Sequence, residues 1–368
     1  KLYVEYLQIL ADHRPAVFIM ENVKGLLSAT VGNTRMFHRI LEDLRHPGAA
    51  LAREGRLVRR GGTGGYRIYS LVQSQMFENG DLEGSVIQAE KYGVPQARHR
   101  VILLGVRDDL HGVTPRALKT QAMVNVEAVI GAMPALRSGL SRQDDSASAW
   151  RACLRAQCDS RWANAGTVRA DSKLLSDLVC RTLRSVEPPQ ADRGGEFVAG
   201  EAVPQHAPAW YVDRKLDGVC NHSTRGHMES DLYRYLYAAC FARVHGKSPS
   251  LQNFPTDILP DHGSVGVALE DGGNFSDRFR VQVASRPSTT VVSHISKDGH
   301  YYIHPDPMQC RSLTVREAAR LQTFPDNYFF CGPRTSQYTQ VGNAVPPFLA
   351  RQIGDIVLDL LQRAGVND

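Results

Sequence analysis

The 368-residue chain has no apolar run near the roughly 20 residues needed to cross a bilayer as a helix, so no membrane span is expected. Its seven cysteines, at positions 153, 158, 180, 220, 240, 310 and 331, contain no CxxC pair and are odd in number. That argues against a disulfide framework and a zinc ribbon and suits a reducing cytoplasm. Charge of one sign is also lacking: 43 Lys and Arg stand against 38 Asp and Glu, a balance of +5 that permits nucleic-acid binding without requiring it. The first residue is Lys1, with no charged-then-apolar leader behind it, so no signal peptide is expected and the chain is expected to begin mid-protein. The loop GGTGG at 61–65 lacks the lysine and the serine or threonine of a phosphate-binding loop and reads as a flexible connector.

With 42% hydrophobic and 22% charged residues, the length suits two globular domains of ordinary size. The first dozen residues place Leu2, Tyr6, Leu7 and Leu10 at helical spacing. An apolar run of parallel-sheet type, Ala16 to Met20, follows and stops at Glu21, Asn22 and Val23. Ligands of open α/β sheets sit beyond the carboxyl ends of strands, so Glu21 would point into that crevice, although on this stretch alone Glu21 and Asn22 equally suit a turn cap. Asn33 can cap a second helix with the stripe Phe37, Ile40, Leu41 and Leu44, and a strand is expected over Tyr66 to Val72. In YGVPQARHRVILLGVR, 92–107, the run Val101 to Val106 is another buried strand. Extended backbone there would set Gln96, Arg98 and Arg100 on one face, where two guanidinium forks suit a carboxylate, a phosphate or the carbonyl oxygen of a base, or a salt-bridged strand edge.

From about Asp109 to Pro307 the regular alternation breaks down, which marks a different domain. Helices are expected over Trp150 to Cys158 and Leu174 to Leu183, and a proline- and glycine-rich loop over Pro188 to Pro208. A loop from Cys220 should run into a helix opened by Ser230 or Asp231, with Leu232, Leu236, Ala239 and Cys240 inward. Cys220, His222, His227 and Cys240 lack the tight pairing of structural zinc ligands, and no metal is assigned. Thr289 to His294 and His300 to His304 alternate like the arms of a hairpin around Lys297, Asp298 and Gly299. A helix from Thr314 to Leu321 carries a capping box of Thr314 with Glu317, and Pro325 stops it. At the C-terminus a Gly342–Asn343 turn precedes a helix with the stripe Leu349, Ile353, Ile356, Val357, Leu360 and Leu361.

Four blocks in order, ENV at 21–23, QARHR at 96–100, RxLTxREAARLQTFPD at 311–326 and GNAVPP at 342–347, resemble the later signature blocks of DNA cytosine-5 methyltransferases. The resemblance implies an α/β fold: part of a Rossmann-like, S-adenosylmethionine-dependent methyltransferase sheet with a mixed target-recognition domain. It implies that Glu21, with Asn22 and Val23 beside it, hydrogen-bonds or protonates ring nitrogen 3 of a flipped-out cytosine through a carboxyl whose pKa its site raises. It makes Arg100 the arginine on the base's carbonyl oxygen and Arg98 its bracing neighbour. Gly342, Asn343 and Val345 would close the S-adenosyl-L-methionine pocket. Gln96, Arg311, Thr314, Arg316 and Arg320 would support the site or meet DNA.

One departure from the family pattern is serious. No proline–cysteine pair exists, no cysteine precedes Glu21, and the glycine-rich FxGxG cofactor block is missing. The expectation is therefore the carboxyl-terminal part of a cytoplasmic enzyme that methylates carbon 5 of cytosine in double-stranded DNA, with the second half of the catalytic domain at 1–108, a target-recognition domain at 109–330 and a returning segment at 331–368. Its partner would be the missing N-terminal half, from the same gene or a separate subunit, and alone the chain would bare a sheet edge and be inactive. A cognate restriction endonuclease would be a further partner. The alternatives are a noncatalytic DNA-recognition subunit of a split methyltransferase and RNA cytosine-5 methylation.

Overall fold

A computed structural model describes residues 2–31, 34–58, 64–77, 84–164, 170–261 and 277–366. Asn33 and positions 61–63 of the glycine loop, on which two sequence expectations fall, lie outside the described residues. The chain forms two compact units, one of residues 1–93, 97–122 and 348–368, the other of 94–96 and 123–347. Residues 331–347, assigned from sequence to the returning segment, cluster with the second unit.

The first unit is built on the strand His99–Arg107. Val101, Ile102, Leu103, Leu104 and Val106 are all buried, so this strand is apolar on both faces and takes the centre of its sheet. Val17–Val23 pairs along one edge; Tyr66–Ser70 and then Val86–Gln88 share the other. Every one of these pairings is antiparallel, which corrects the parallel reading of Ala16 to Met20. An apolar run reports burial on two faces and says nothing about neighbour direction. The strand also continues through Glu21 to Val23, so Glu21 sits within it and not beyond its end.

The pleat then separates two chemistries. Phe18, Val101 and Leu103 point to a core completed by Leu7 and Leu10 of the helix Leu2–His13 and by Phe37, Ile40, Leu41 and Leu44 of the helix Met36–Arg45. Each such buried side chain contributes on the order of 2 kcal/mol. Gly105 is where Phe18 lies across the central strand: a Cβ there would collide with the Phe18 ring. Residues one step out of phase, Glu21 and Arg100 among them, face the other way. The helix Pro347–Arg363 buries Leu349, Ile353 and Leu360 of its expected stripe; Ile356, Val357 and Leu361 are half-buried.

In the second unit the helix Glu229–His245 is buried nearly all round from Asp231 to Ala242 and packs with the helices Ala147–Arg155 and Ala170–Ser185. Its cap is Met228 rather than Ser230 or Asp231. A second core surrounds the helices Val315–Leu321 and Arg334–Asn343. Two further sequence expectations are overturned. The loop expected over 188–208 contains the strand Gly194–Ala199, which pairs antiparallel with Gly218–Ser223. The hairpin expected over 289–304 is replaced by two short 3-10 turns, Ser293–Ser296 and Gly299–Tyr301. Distant side chains satisfy its backbone instead, with the amide of Thr289 donating to Gln282 and that of Val291 to Gln96.

Candidate functional site

On the outward face of the first unit's edge strand, Glu21 Oε1 lies 3.0 Å from Arg100 Nε. The register explains the contact. Glu21 stands opposite Ile102 and Val23 opposite Arg100, so Glu21 and Arg100 are diagonal neighbours on one face of an antiparallel pair. The pair is partly open to solvent, with the Glu21 side chain 30% and the Arg100 side chain 16% exposed. Arg100 Nη1 also donates to the His99 carbonyl at 2.9 Å, which leaves part of its fork for a further acceptor. Asn22 accepts from the amide of Val23 at 2.8 Å and so bends the chain out of the strand into the 3-10 turn Lys24–Leu27. Arg98 is buried, and its carbonyl accepts from the Ala89 amide, tying the strand start to Ala89–Tyr92.

A partner pair beside these residues escaped the sequence reading. Glu90 Oε1 lies 2.7 Å from His99 Nε2, on the strand face opposite Arg100. The two residues are nine apart, and the 3-10 turn that joins them carries no sequence periodicity to reveal the contact.

Gln96 does not share a face with Arg98 and Arg100. It precedes the strand and is buried in the second unit, where its amide nitrogen donates to Leu321 O at 3.1 Å and Gln322 Oε1 at 2.9 Å. Gln322 in turn donates to Val341 O at 2.8 Å and Ala344 O at 3.1 Å. Two carboxamides thus link three of the signature blocks through the second unit.

The block at 311–326 is interior. Arg311, Thr314, Arg316 and Arg320 are each at most 1% exposed. Arg311 forms a two-pronged pair with Glu317, 2.7 Å to Oε2 and 2.6 Å to Oε1. Arg320 grips Asp326 in the same way at 2.9 and 2.7 Å. Both pairs are six residues apart, a spacing that no helix face would suggest. Arg316 donates to the carbonyls of Cys220, Pro325 and Tyr328, and burial pushes its pKa down to about 10. Thr314 caps the helix Val315–Leu321 and completes its capping box with Glu317. These four side chains shape the unit from within, each nearly closed to solvent and bound to internal partners.

Burial alone would raise the Glu317 carboxyl, but Arg311, His304 and His222 outweigh it and hold it well below the carboxylate range. His222 is hydrogen-bonded to Thr314 at 2.9 Å and to Pro134 O at 2.8 Å, and burial lowers its pKa to about 4. His227, hydrogen-bonded to Tyr235 and Ser312, is lowered to about 3, again mainly by burial. Both rings are therefore neutral at pH 7 and committed to internal partners.

The Gly342–Asn343 turn read from sequence is the last turn of the helix Arg334–Asn343. Gly342 is needed because a Cβ would strike the backbone of Val292 and Ser293. Its smallness serves packing, while Asn343 is exposed at the helix end and Val345 half-buried. These two can rim a cofactor, but no glycine-rich cradle accompanies them among the described residues. Burial pushes the thiols of Cys153 and Cys240 up to about 11 and about 12 and raises that of Cys310 well above the ordinary thiol value, so these three are held protonated.

Residues 1–49 and 72–358 match the family model of the C-5 cytosine-specific DNA methylase. The chain is 33% identical over 363 residues to the type II methyltransferase M.Bpa9945I of Bacillus paralicheniformis, covering 98% of this chain and 64% of that protein. It is 26% identical over 386 residues to the DNA (cytosine-5-)-methyltransferase M.ApeKI of Aeropyrum pernix, covering 98% and 75%. With the type II methyltransferase M.Eco47II of Escherichia coli the identity is 39% over 363 residues, covering 98% and 58%. The chain thus spans less than two thirds of the length of the first and last of these relatives. With a family match that takes in all four signature blocks, the chain belongs to the C-5 cytosine-specific DNA methylases.

Proposed function

We propose that this chain is the carboxyl-terminal part of a DNA cytosine-5 methyltransferase, which transfers a methyl group from S-adenosylmethionine to carbon 5 of a flipped-out cytosine in duplex DNA. The observation that carries the reading is the Glu21–Arg100 pair, 3.0 Å apart and partly exposed on one strand face. A carboxyl beside a guanidinium matches the edge of cytosine on which ring nitrogen 3 adjoins a carbonyl oxygen. Glu21 would hydrogen-bond or protonate that nitrogen, and Arg100 would donate to the oxygen. Arg98 braces the strand start. The nucleophile would come from a proline–cysteine segment outside this chain, since none of its seven cysteines follows a proline. S-adenosylmethionine supplies the methyl group when bound, and this chain would offer it Asn343 and Val345 as a rim. The N-terminal half of the enzyme and a cognate restriction endonuclease are the partners this reading implies.

The test is methyl transfer from radiolabelled S-adenosylmethionine to duplex DNA, by the chain alone and by the chain supplied with an upstream segment carrying the proline–cysteine. Label on cytosine only in the completed enzyme is the expected result. Glu21→Gln in that enzyme should lower transfer by about 10²-fold or more while DNA binding holds. Equal loss of binding and transfer would refute the role given to Glu21. The missing nucleophile also favours a second reading, a noncatalytic recognition subunit, which would bind duplex DNA and yield no label even when completed.

A further inference from the structure

The turn Ser223–Gly226 in the second unit gathers arginines that the reading above leaves without a task. Arg334 Nη2 donates to Ser223 Oγ at 3.3 Å. Arg193 Nη2 donates to Thr224 O at 3.4 Å, and the Thr224 amide returns a bond to Arg193 O at 3.0 Å. Arg225 lies over the Tyr338 ring, 4.2 Å from its centre, and donates to Ile295 O. The Nε atoms of Arg193 and Arg225 are buried without a hydrogen-bond partner.

The local carboxylates do not balance this charge. Asp145 is shared between Arg193 at 2.9 Å and Arg137 at 2.6 Å, and Asp192 pairs with Arg137. Among the described residues Arg225 and Arg334 have no carboxylate within ion-pair distance. Among the described residues the four guanidiniums of Arg137, Arg193, Arg225 and Arg334 thus have two carboxylates, Asp145 and Asp192, within ion-pair distance. Burial and the charges of Arg225 and Arg193 lower the pKa of Arg334, as expected where like charges lack a counterion. Arg334 also opens the ten-residue helix Arg334–Asn343, whose cap Pro333 makes no side-chain bond, so the amides of its first turn lack intrahelical acceptors and the positive end of its dipole adds to the same field.

We propose that the Ser223–Gly226 turn, with Arg193, Arg225 and Arg334, is a clamp for a backbone phosphate of duplex DNA. The proposal rests on the methyltransferase reading and extends it by naming where the recognition unit grips the sugar–phosphate chain. A phosphodiester brings the missing negative charge and acceptor oxygens that guanidinium forks and open helix amides both match. Such a contact fixes the register of the protein on DNA and carries no sequence information.

The experiment is fluorescence anisotropy of the full 368-residue chain on labelled duplexes of two unrelated sequences and on tRNA, across about 50 to 200 mM salt. Arg225→Gln and Arg334→Gln should each weaken binding to both duplexes equally. Each should also lower the slope of log affinity against log salt by about 0.9. The lysine variants at the same positions should keep most of the slope. Ser223→Asp gives a test that does not depend on losing an arginine: it offers Arg334 an internal carboxylate, so the fold is kept while phosphate is displaced, and the slope should fall. Arg351→Gln, which removes an exposed arginine paired with Asp355, is the control and should change little.

Wild-type slopes in the Arg225, Arg334 and Ser223 variants would overturn the clamp and leave the methyltransferase reading standing. Losses on tRNA alone would overturn it too. Absence of salt-dependent duplex binding by the wild-type chain would remove the clamp, whereas the methyltransferase reading is decided separately by label transfer in the completed enzyme.

Discussion

Glu21–Arg100 in the first unit and Arg311–Glu317 in the second are chemically the same contact, a guanidinium on a glutamate. Their surroundings give them different uses. Arg311 and Glu317 are 1% exposed and meet through two bonds, and Glu317 also accepts from the Thr314 amide at 2.7 Å. Arg311 spends its remaining donors on Leu136 O, Ser312 O and Gln309 Oε1. Every polar atom of that pair is used, so nothing is left for a ligand. Glu21 and Arg100 touch through one contact, stay partly wet and keep hydrogen-bonding capacity in reserve. An ion pair saturated from within holds a fold together, and one left half-satisfied at a surface is available for chemistry.

The largest effect that would test this comparison is at Glu317. Replacing it by alanine leaves Arg311 buried and unpaired, so Glu317→Ala should cost about 3–5 kcal/mol of unfolding free energy. Glu21→Ala, at a wet pair, should cost less than about 1 kcal/mol. Urea denaturation of the two variants measures both. Equal losses would break the distinction between the saturated and the open pair.

Next in size is Gly342→Ala. The added Cβ would press on the backbone of Val292 and Ser293, which cannot rotate away as a side-chain tip could, so a loss of about 1–3 kcal/mol is expected. A loss below about 0.5 kcal/mol would mean that the two backbones separate readily, and packing would no longer account for the glycine.

What could be read in advance follows the range of the interaction. The capping box of Thr314 and Glu317 is a three-residue spacing and was legible as such. So were the helices at Leu2–His13 and Pro347–Arg363 in outline, and the signature blocks that led to the family. Strand direction was not legible, because the run Val101 to Val106 is equally buried between parallel or antiparallel neighbours. The false hairpin at 289–304 failed for another reason. Its alternation is real, but Gln96 and Gln282 take backbone groups that a partner strand would have used. For Arg311, Arg316 and Arg320 the sequence left open whether they support the site or meet DNA, because nothing local reveals that Glu317, Asp326 and three carbonyls receive them indoors.

A smaller effect, spread over pH, belongs to the second unit. Unfolded histidine takes a proton near pH 6.5, whereas folded His222 and His227 resist until about 4 and about 3. Between about pH 6.5 and 4 the unfolded state therefore binds more protons, and stability falls as pH is lowered. The slope should reach about 1.4 kcal/mol per pH unit for each ring. Glu317, whose carboxyl is depressed, contributes stability that is present above the unfolded carboxylate value and is lost only as pH falls through the lower folded one. Urea midpoints measured from pH 7 to 4.5 should show the histidine slope, reduced by one ring's share in His227→Gln. A flat profile would mean that these rings are accessible to protons in the folded protein.

The smallest expected change in stability is at Glu21→Gln, and its smallness is what makes the variant informative. Glutamine keeps the length of the side chain and a carbonyl acceptor for Arg100 while removing the charge and the transferable proton. At a pair that is partly solvated on a strand edge, unfolding free energy should move by no more than about 0.5 kcal/mol. Methyl transfer by the completed enzyme should nevertheless fall by about 10²-fold or more, because proton transfer to ring nitrogen 3 is lost while the base can still be held. If transfer survived and stability dropped instead, Glu21–Arg100 would belong with Arg311–Glu317 as a structural pair, and the open face of the edge strand would need another explanation.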